Sequence, residues 1–360
     1  MNQHHYVAIM AGGIGSRFWP KSRTAMPKQF LDILNTGKSL IQWTYERYAL
    51  FIPRENIYVV TSSEYENIVA EQLPDLNREN IVCEPSRKNT APCIAYISFK
   101  LLQKDPEASL IVAPSDHIIL DNNAFISITQ KALDFVAHIK AFVTLGITPT
   151  YPNTGYGYIQ HESLTVAEDI YKVKTFTEKP NLELAKTFIS SGDFLWNAGI
   201  FIWQVKTVLK AFEQLQPEMF ELFDGEKEHF NTPNERDAIN RIYPLCTNIS
   251  IDFAIMEKAN NVYIIPSSFG WSDLGTWNSA YENLEKDYLA NAVAGKNVIV
   301  IDATKCMVSA EPEKLVVIQG LDDCIVVDTK DVLLICKKDK EQEIKEYVAE
   351  VKRSKGDTYL

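Results

Sequence analysis

The sequence has 360 residues, room for one large domain or two unequal ones at about 150 residues each. Hydrophobic residues make up 46% and charged residues 23%, ordinary globular proportions that argue against disorder and fibrous repeats. With 36 basic and 47 acidic residues the net charge is −11, which argues against nucleic-acid binding by broad phosphate neutralisation but leaves room for a local basic pocket.

From residue 5 to about 150, strand-like and helix-like stretches alternate. HYVAIM (5–10), NIYVVT (56–61), ENIVC (79–83), ASLIVA (108–113) and KAFVTLG (140–146) are predicted strands. Segments 39–51, 64–73, 90–102 and 124–139 carry apolar residues at helical spacing. Several strands are apolar on both faces, as in a parallel sheet covered by helices on both sides. This predicts a doubly wound α/β domain whose ligand lies beyond the carboxyl ends of the strands. Beyond 150, a turn-rich loop (151–160) enters a strand, 169–180 reads as a strand stopped by proline, 196–203 as another strand, and 205 to about 260 as mostly helical. From about 290, short Val- and Ile-rich runs separated by turn signals predict an all-β appendage, closed by a charged helix from about 340 to 353.

The strongest local feature is the stretch 11–30, directly after the first predicted strand. Gly12, Gly13 and Gly15 let the backbone approach a ligand and turn N–H groups toward anionic oxygens. Arg17, Lys21, Arg23 and Lys28 place four cations within twelve residues of an acidic chain. A glycine pair alone reads as an ordinary tight turn. Glycines plus cations point to a nucleoside triphosphate site. The segment is neither a Walker A motif nor a dinucleotide fingerprint, since position 18 is Phe.

The run from Gly12 to Pro20, with Pro27-Lys28-Gln29-Phe30, resembles the signature loop of sugar-1-phosphate nucleotidyltransferases. Its Phe-Trp-Pro-Lys-Ser-Arg continuation is similar to that of mannose-1-phosphate guanylyltransferases. That resemblance implies nucleotide contacts at Ala11, Gly12, Gly13, Gly15 and Ser16, with Arg17 and Lys28 on the triphosphate. Further segments agree in order. Glu84-Pro85-Ser86-Arg87-Lys88-Asn89-Thr90 would place Glu84, Pro85, Asn89 and Thr90 along the nucleoside, with Lys88 where the family has arginine. On spacing alone, Asn89 or Thr90 serves equally well as a helix cap. Asp116 at the end of the fourth strand and Asp273 in Gly270-Trp271-Ser272-Asp273-Leu274-Gly275 would be the metal ligands, while His117 is read as structural. Gly157, Glu178 and Asn197 would contact the sugar, and Lys179 its phosphate. Thr177 and Ala198 depart from the family's Val and Ser.

The resemblance implies an α/β nucleotidyltransferase with a doubly wound mixed sheet over residues 1–285 and a small left-handed β-helix with a terminal helix over 286–360. It implies Mg²⁺-assisted reaction of GTP with mannose 1-phosphate to give GDP-mannose and pyrophosphate, by a homodimer. Too few residues follow the β region for the isomerase module of long family members, so one activity is expected. Rival readings are a different base or hexose, a non-catalytic regulatory relative, and, more weakly, a dinucleotide oxidoreductase. No apolar run spans a bilayer, and no basic region precedes the short apolar stretch at the N-terminus. Six scattered cysteines without a CxxC read as free thiols, so the expected location is the cytoplasm, without membrane or nucleic-acid partners.

Overall fold

The structure is a computed structural model that describes residues 1–13 and 15–360, so Ile14 of the glycine loop lies outside the described residues. Contacts divide the chain into two units. The first holds Met1–Gly12, Tyr45–Pro114 and Ile119–Trp271, and the second holds Gly13–Thr44, Ser115–Ile118 and Ser272–Leu360.

In chain order the strands are β1 (His5–Met10), β2 (Ile57–Ser62), β3 (Ile81–Glu84), β4 (Ser109–Pro114), the short β5 (Ile118–Ile119), β6 (Phe142–Ile147), β7 (Tyr158–Ala167), β8 (Ile170–Thr177), β9 (Phe194–Gln204), β10 (Val262–Ser267) and the short β11 (Trp271–Ser272). The helices so far are α1 (Leu40–Ala49), α2 (Glu66–Gln72), α3 (Thr90–Lys104), α4 (Asn122–His138), α5 (Leu182–Ser191), α6 (Val205–Leu215), α7 (Pro217–Asp224) and α8 (Glu235–Ile242).

The first unit is built on a nine-stranded sheet in the order β3-β2-β1-β4-β9-β6-β10-β8-β7. Strands β1, β2 and β6 are buried at most or all positions, as both-face coverage requires. β1 runs parallel to both β2 and β4, with Met10 opposite Pro114, so the strand order reverses at the carboxyl end of β1. This is where open α/β sheets bind ligands. β9 lies antiparallel between β4 and β6, which makes the sheet mixed. Side-chain caps start the helices: Asp121 accepts from the Ala124 N–H and Asn181 from the Leu184 N–H. The core packs Phe99, Trp203, Phe212, Phe223 and Tyr243 against the sheet.

In the second unit, α9 (Trp277–Asn283) precedes β12 (Ala292–Ala294), β13 (Val298–Ile301), β14 (Met307–Ser309), β15 (Val316–Gln319), β16 (Cys324–Asp328) and β17 (Leu333–Lys337). β12, β14 and β16 stack in parallel, as do β13 and β15, and the chain alternates between the two stacks. That alternation is the coil of a β-helix, closed by antiparallel β17. The final helix α10 (Ile344–Lys355) starts a few residues later than expected, because Lys338–Glu343 forms a 3₁₀ turn first. The unit's core gathers Phe18, Trp19, Leu274, Trp277, Ile325 and Ile344. The Trp277 ring meets Phe18 edge-on at 4.9 Å, and the Trp19 indole N–H donates to the Tyr359 carbonyl at 2.8 Å. All six cysteines are free thiols; Cys83 and Cys336 are half-buried and the other four buried.

Candidate active site

The second unit holds the glycine loop from Gly13 onward together with Asp116 and Asp273. Gly15 has φ 68°, and a Cβ there would overlap the Lys28 side chain, so glycine is required on both counts. The Ser22 hydroxyl donates to the Gly15 carbonyl at 2.7 Å and fixes the turn. Ser16 opens a 3₁₀ turn over Ser16–Phe18.

Lys28 is buried, 3.0 Å from Asp116 Oδ2, and donates to the Asp273 backbone carbonyl at 2.7 Å. One ammonium thus joins the two loops that carry the aspartates. Burial pushes the Asp116 carboxyl up, but the Lys28 charge, helped by His117, outweighs it and holds the group below its usual value. His117 Nε2 stands 3.8 Å from Asp116 Oδ1. Asp273 Oδ1 accepts the Gly275 N–H at 2.9 Å, and Leu274 between them is left-handed at φ 44°.

The four loop cations have different surroundings. Lys21 donates to the Asp32 carbonyl and the Ser309 hydroxyl, and Arg23 forms a two-pronged pair with Asp331. Both are committed to structure, and Lys28 is paired as well, with Asp116 and the Asp273 carbonyl. The buried Nε of Arg17 has no hydrogen-bond partner among the described residues.

The first unit holds two further groups. At the end of β3, the buried Glu84 accepts a hydrogen bond from the Tyr243 hydroxyl, while its other oxygen lies 3.4 Å from where a Gly12 Cβ would sit. Burial pushes the Glu84 carboxyl up to about 7. Ala11 donates its N–H to Val60 and accepts from the Thr61 hydroxyl, so its backbone is tied into the sheet, and Gly13 opens onto free space. After Pro85, Asn89 is left-handed at φ 65° and its side chain accepts the Thr90 N–H. The Thr90 hydroxyl accepts the Ile251 N–H at 2.8 Å, pinning the start of α3.

The second group in this unit combines Gly157, Glu178, Lys179 and Asn197. Asn197 donates its backbone N–H to the Gly157 carbonyl at 2.8 Å, and a Cβ on Gly157 would come 3.1 Å from Glu178 Oε2. Lys179 lies 2.6 Å from Glu178, with both side chains half exposed, and has φ 39°. Left-handed backbone in a lysine is strained, and such strain concentrates at ligand sites. The Asn197 amide accepts the Gly199 N–H and donates to Asp252 Oδ1 at 3.0 Å. Burial raises the Asp252 carboxyl above its usual value, although the Asn197 hydrogen bond opposes the shift. Trp196 packs edge-on against Tyr151 and Tyr156.

Sequence reading passed over Tyr243 and Asp252. Asp252 opens a π-helical turn, Asp252–Met256, a feature frequent at functional sites but carrying no local sequence signal. Tyr243 reaches Glu84 across 159 positions of sequence, beyond any motif.

A nucleotidyl transferase family model matches residues 6–289, and a mannoseP isomerase/GMP-like beta-helix domain model matches residues 296–351. The chain belongs to the nucleotidyl transferase family. Among its relatives, the mannose-1-phosphate guanylyltransferase of Salmonella montevideo is 37% identical over 352 residues, 96% of this chain and 73% of that protein. Mannose-1-phosphate guanylyltransferase RfbM of Salmonella typhimurium is 36% identical over 357 residues, 98% of this chain and 73% of that protein. A crystal structure described as a mannose-1-phosphate geranyltransferase from Thermus thermophilus superposes with TM-score 0.88 at 28% identity, covering 97% of this chain and 99% of that one.

Proposed function

We propose that this enzyme transfers GMP from GTP to α-D-mannose 1-phosphate, releasing pyrophosphate and GDP-mannose. The observation that carries the reading is the Lys28 ammonium, buried and bonded to both aspartate loops, in a chain whose relatives named above carry that activity. A regulatory relative without catalysis has no need to keep that array together with Arg17 and Lys179.

In the proposed reaction, an oxygen of the sugar phosphate attacks the α-phosphorus of GTP. The new P–O bond forms as the α–β bridge breaks, and pyrophosphate departs with the electron pair. The nucleophile is already an anion, so no protein nucleophile or strong base is needed; the work is positioning and charge stabilisation. Backbone N–H groups of Gly12, Gly13, Gly15 and Ser16 are assigned to the nucleotide, with Ala11 anchoring their loop. Arg17 and Lys28 neutralise the triphosphate. Glu84, Pro85, Asn89 and Thr90 are assigned to the nucleoside, and a buried carboxyl at Glu84 suits the donor edge of guanine. Gly157, Glu178 and Asn197 hold the hexose, and Lys179 orients its phosphate.

Asp116 and Asp273 are proposed to hold Mg²⁺. Two carboxylates completed by water and phosphate oxygens suit this hard cation, and Asp116, a third exposed and held ionised, meets that need. When bound, the ion supplies Lewis-acid neutralisation of the phosphates.

Residues 1–285 are assigned to catalysis and 286–360 to the coil domain. A homodimer is proposed, supported by the exposed aliphatic residues Ile299 and Ile301 of β13, Val317 of β15 and Leu315 just before β15. A cytoplasmic location is proposed as well; among the described residues no helix is long and apolar enough to cross a membrane. The test offers Mg²⁺ and mannose 1-phosphate with GTP, UTP, dTTP or ATP and follows pyrophosphate. Release with GTP alone supports the reading. Release with another nucleotide moves the specificity, and silence with all four, in protein that still binds GTP, favours a regulatory role.

A further inference from the structure

Tyr243 is fully buried in the first unit, at the start of the 3₁₀ turn Tyr243–Leu245 that follows α8. Its ring belongs to the core and meets Phe223 edge-on at 6.4 Å. Its hydroxyl does something else: it donates to Glu84 Oε1 at the end of β3. The two oxygens of Glu84 therefore have different surroundings. Oε1 is held from the interior, while Oε2 lies 3.4 Å from where a Gly12 Cβ would sit and so faces the first glycine after β1.

The backbone around Glu84 is fixed by other bonds. The Ser63 hydroxyl donates to the Glu84 carbonyl at 3.1 Å. The Ile249 carbonyl accepts the Ala91 N–H at 3.1 Å, and the Ile251 N–H donates to the Thr90 hydroxyl at 2.8 Å, which pins the start of α3. The contribution of the Tyr243 hydroxyl is thus confined to the Glu84 carboxylate.

We propose that Tyr243 is a positioning residue for base selection: its hydroxyl fixes the Glu84 carboxylate so that Oε2 is presented to the donor edge of guanine. It touches no substrate and acts through Glu84. The last torsion of a glutamate is broad, so the carboxylate needs a partner to keep one orientation. Each carboxylate oxygen accepts hydrogen bonds, so occupying Oε1 leaves Oε2 able to accept from a base. Burial works against the ionised form, pushing the carboxyl up to about 7, and the hydrogen bonds from Tyr243 and, less strongly, Cys93 oppose that shift. This inference deepens the guanylyltransferase reading and rests on it at one point, the assignment of Glu84 to the nucleoside.

The experiment compares wild type with Tyr243→Phe, in the wild-type and Glu84→Ala backgrounds. It is run at about pH 8.5, above the Glu84 value of about 7, where the wild-type carboxylate is ionised. GTP and ITP are the probes, because inosine keeps the N1–H of guanine and lacks its 2-amino group. Readouts are kcat/KM for each nucleotide, KM for mannose 1-phosphate, and the melting temperature with and without each nucleotide and Mg²⁺. Tyr243→Phe is expected to lower the GTP-to-ITP ratio of kcat/KM about tenfold, with KM for mannose 1-phosphate changed less than about twofold. Glu84→Ala lowers the same ratio at least as far, and adding Tyr243→Phe to it causes no further change. A merely structural residue would instead lower the melting temperature and both kcat/KM values alike. An unchanged ratio in Tyr243→Phe, where Glu84→Ala does lower it, overturns the proposal and leaves the Glu84 assignment standing. An unchanged ratio in both variants overturns that assignment and the proposal with it. An equal loss in both backgrounds also overturns the proposal, because Tyr243 then acts by another route. Tyr243→Met removes the hydroxyl in a second way if the Phe variant does not fold, and failure of both to fold overturns the proposal. If wild type releases no pyrophosphate, the functional reading fails, while the melting shifts with GTP and ITP still decide the role of Tyr243.

Discussion

Replacing Glu84 by glutamine isolates one buried charge and its effect on stability. The carboxyl is pushed from 4.5 to about 7 chiefly by burial. At about 1.4 kcal/mol per pKa unit, that shift corresponds to about 3 kcal/mol. The sign follows from proton binding. Below pH 4.5 both folded and unfolded chains hold the proton, and Glu84 has no pH-dependent effect. As pH rises toward 7 the unfolded chain ionises while the folded chain keeps its proton, so stability falls. Above the folded pKa the loss is complete and constant. Glutamine retains an acceptor for the Tyr243 hydroxyl and removes the titration. Urea unfolding of wild type and Glu84→Gln at a series of pH values from about 4.5 to about 8.5 is the assay. The difference between the two curves should grow by about 3 kcal/mol toward high pH, in favour of the variant, and level off beyond about pH 7. Curves that stay parallel across that range would refute the reasoning, whatever their absolute offset.

Gly15→Ala combines a left-handed backbone with overlap against Lys28, so it should cost at least about 1 kcal/mol in unfolding free energy and lower turnover with it. Lys28→Met removes the ammonium shared by Asp116 and the Asp273 carbonyl. Steady-state assay should give a loss of about 100-fold or more in kcat, with the variant still folded by circular dichroism. Asp252→Ala frees the Asn197 amide, and KM for mannose 1-phosphate should rise about tenfold while KM for GTP stays within about twofold. An equal rise in both KM values would place Asp252 outside sugar binding.

Much of the first unit is legible in its sequence because burial on both faces leaves uninterrupted apolar runs. Ile57–Ser62 and Phe142–Ile147 are buried throughout and stand out at once. The antiparallel course of β9 between β4 and β6 is not legible, since strand direction leaves no trace in local hydrophobicity. β7 turns from buried to exposed along its length, which hid most of it within a loop-like pattern. The candidate site divides in the same way. Gly15 lies in a glycine- and cation-rich run that stands out directly, whereas Asp116 and Asp273, each by itself an ordinary turn or capping residue, are marked only by the resemblance of the motifs around them. The fates of Lys21 and Arg23 depend on Ser309 and Asp331, about 290 and 310 positions away, and no local pattern encodes such partners. Asp252 belongs to the same class: it bonds to Asn197 across 55 positions of sequence, and only the fold brings the two together.

The proposed reaction joins GMP to a hexose phosphate. Its most direct test follows the α-phosphate of GTP, labelled at that position, during incubation with Mg²⁺ and mannose 1-phosphate. The label is expected to pass into GDP-mannose, with one unlabelled pyrophosphate released per sugar nucleotide and neither product formed by Asp116→Ala. Label recovered as GDP with inorganic phosphate, or left wholly in GTP, would contradict it.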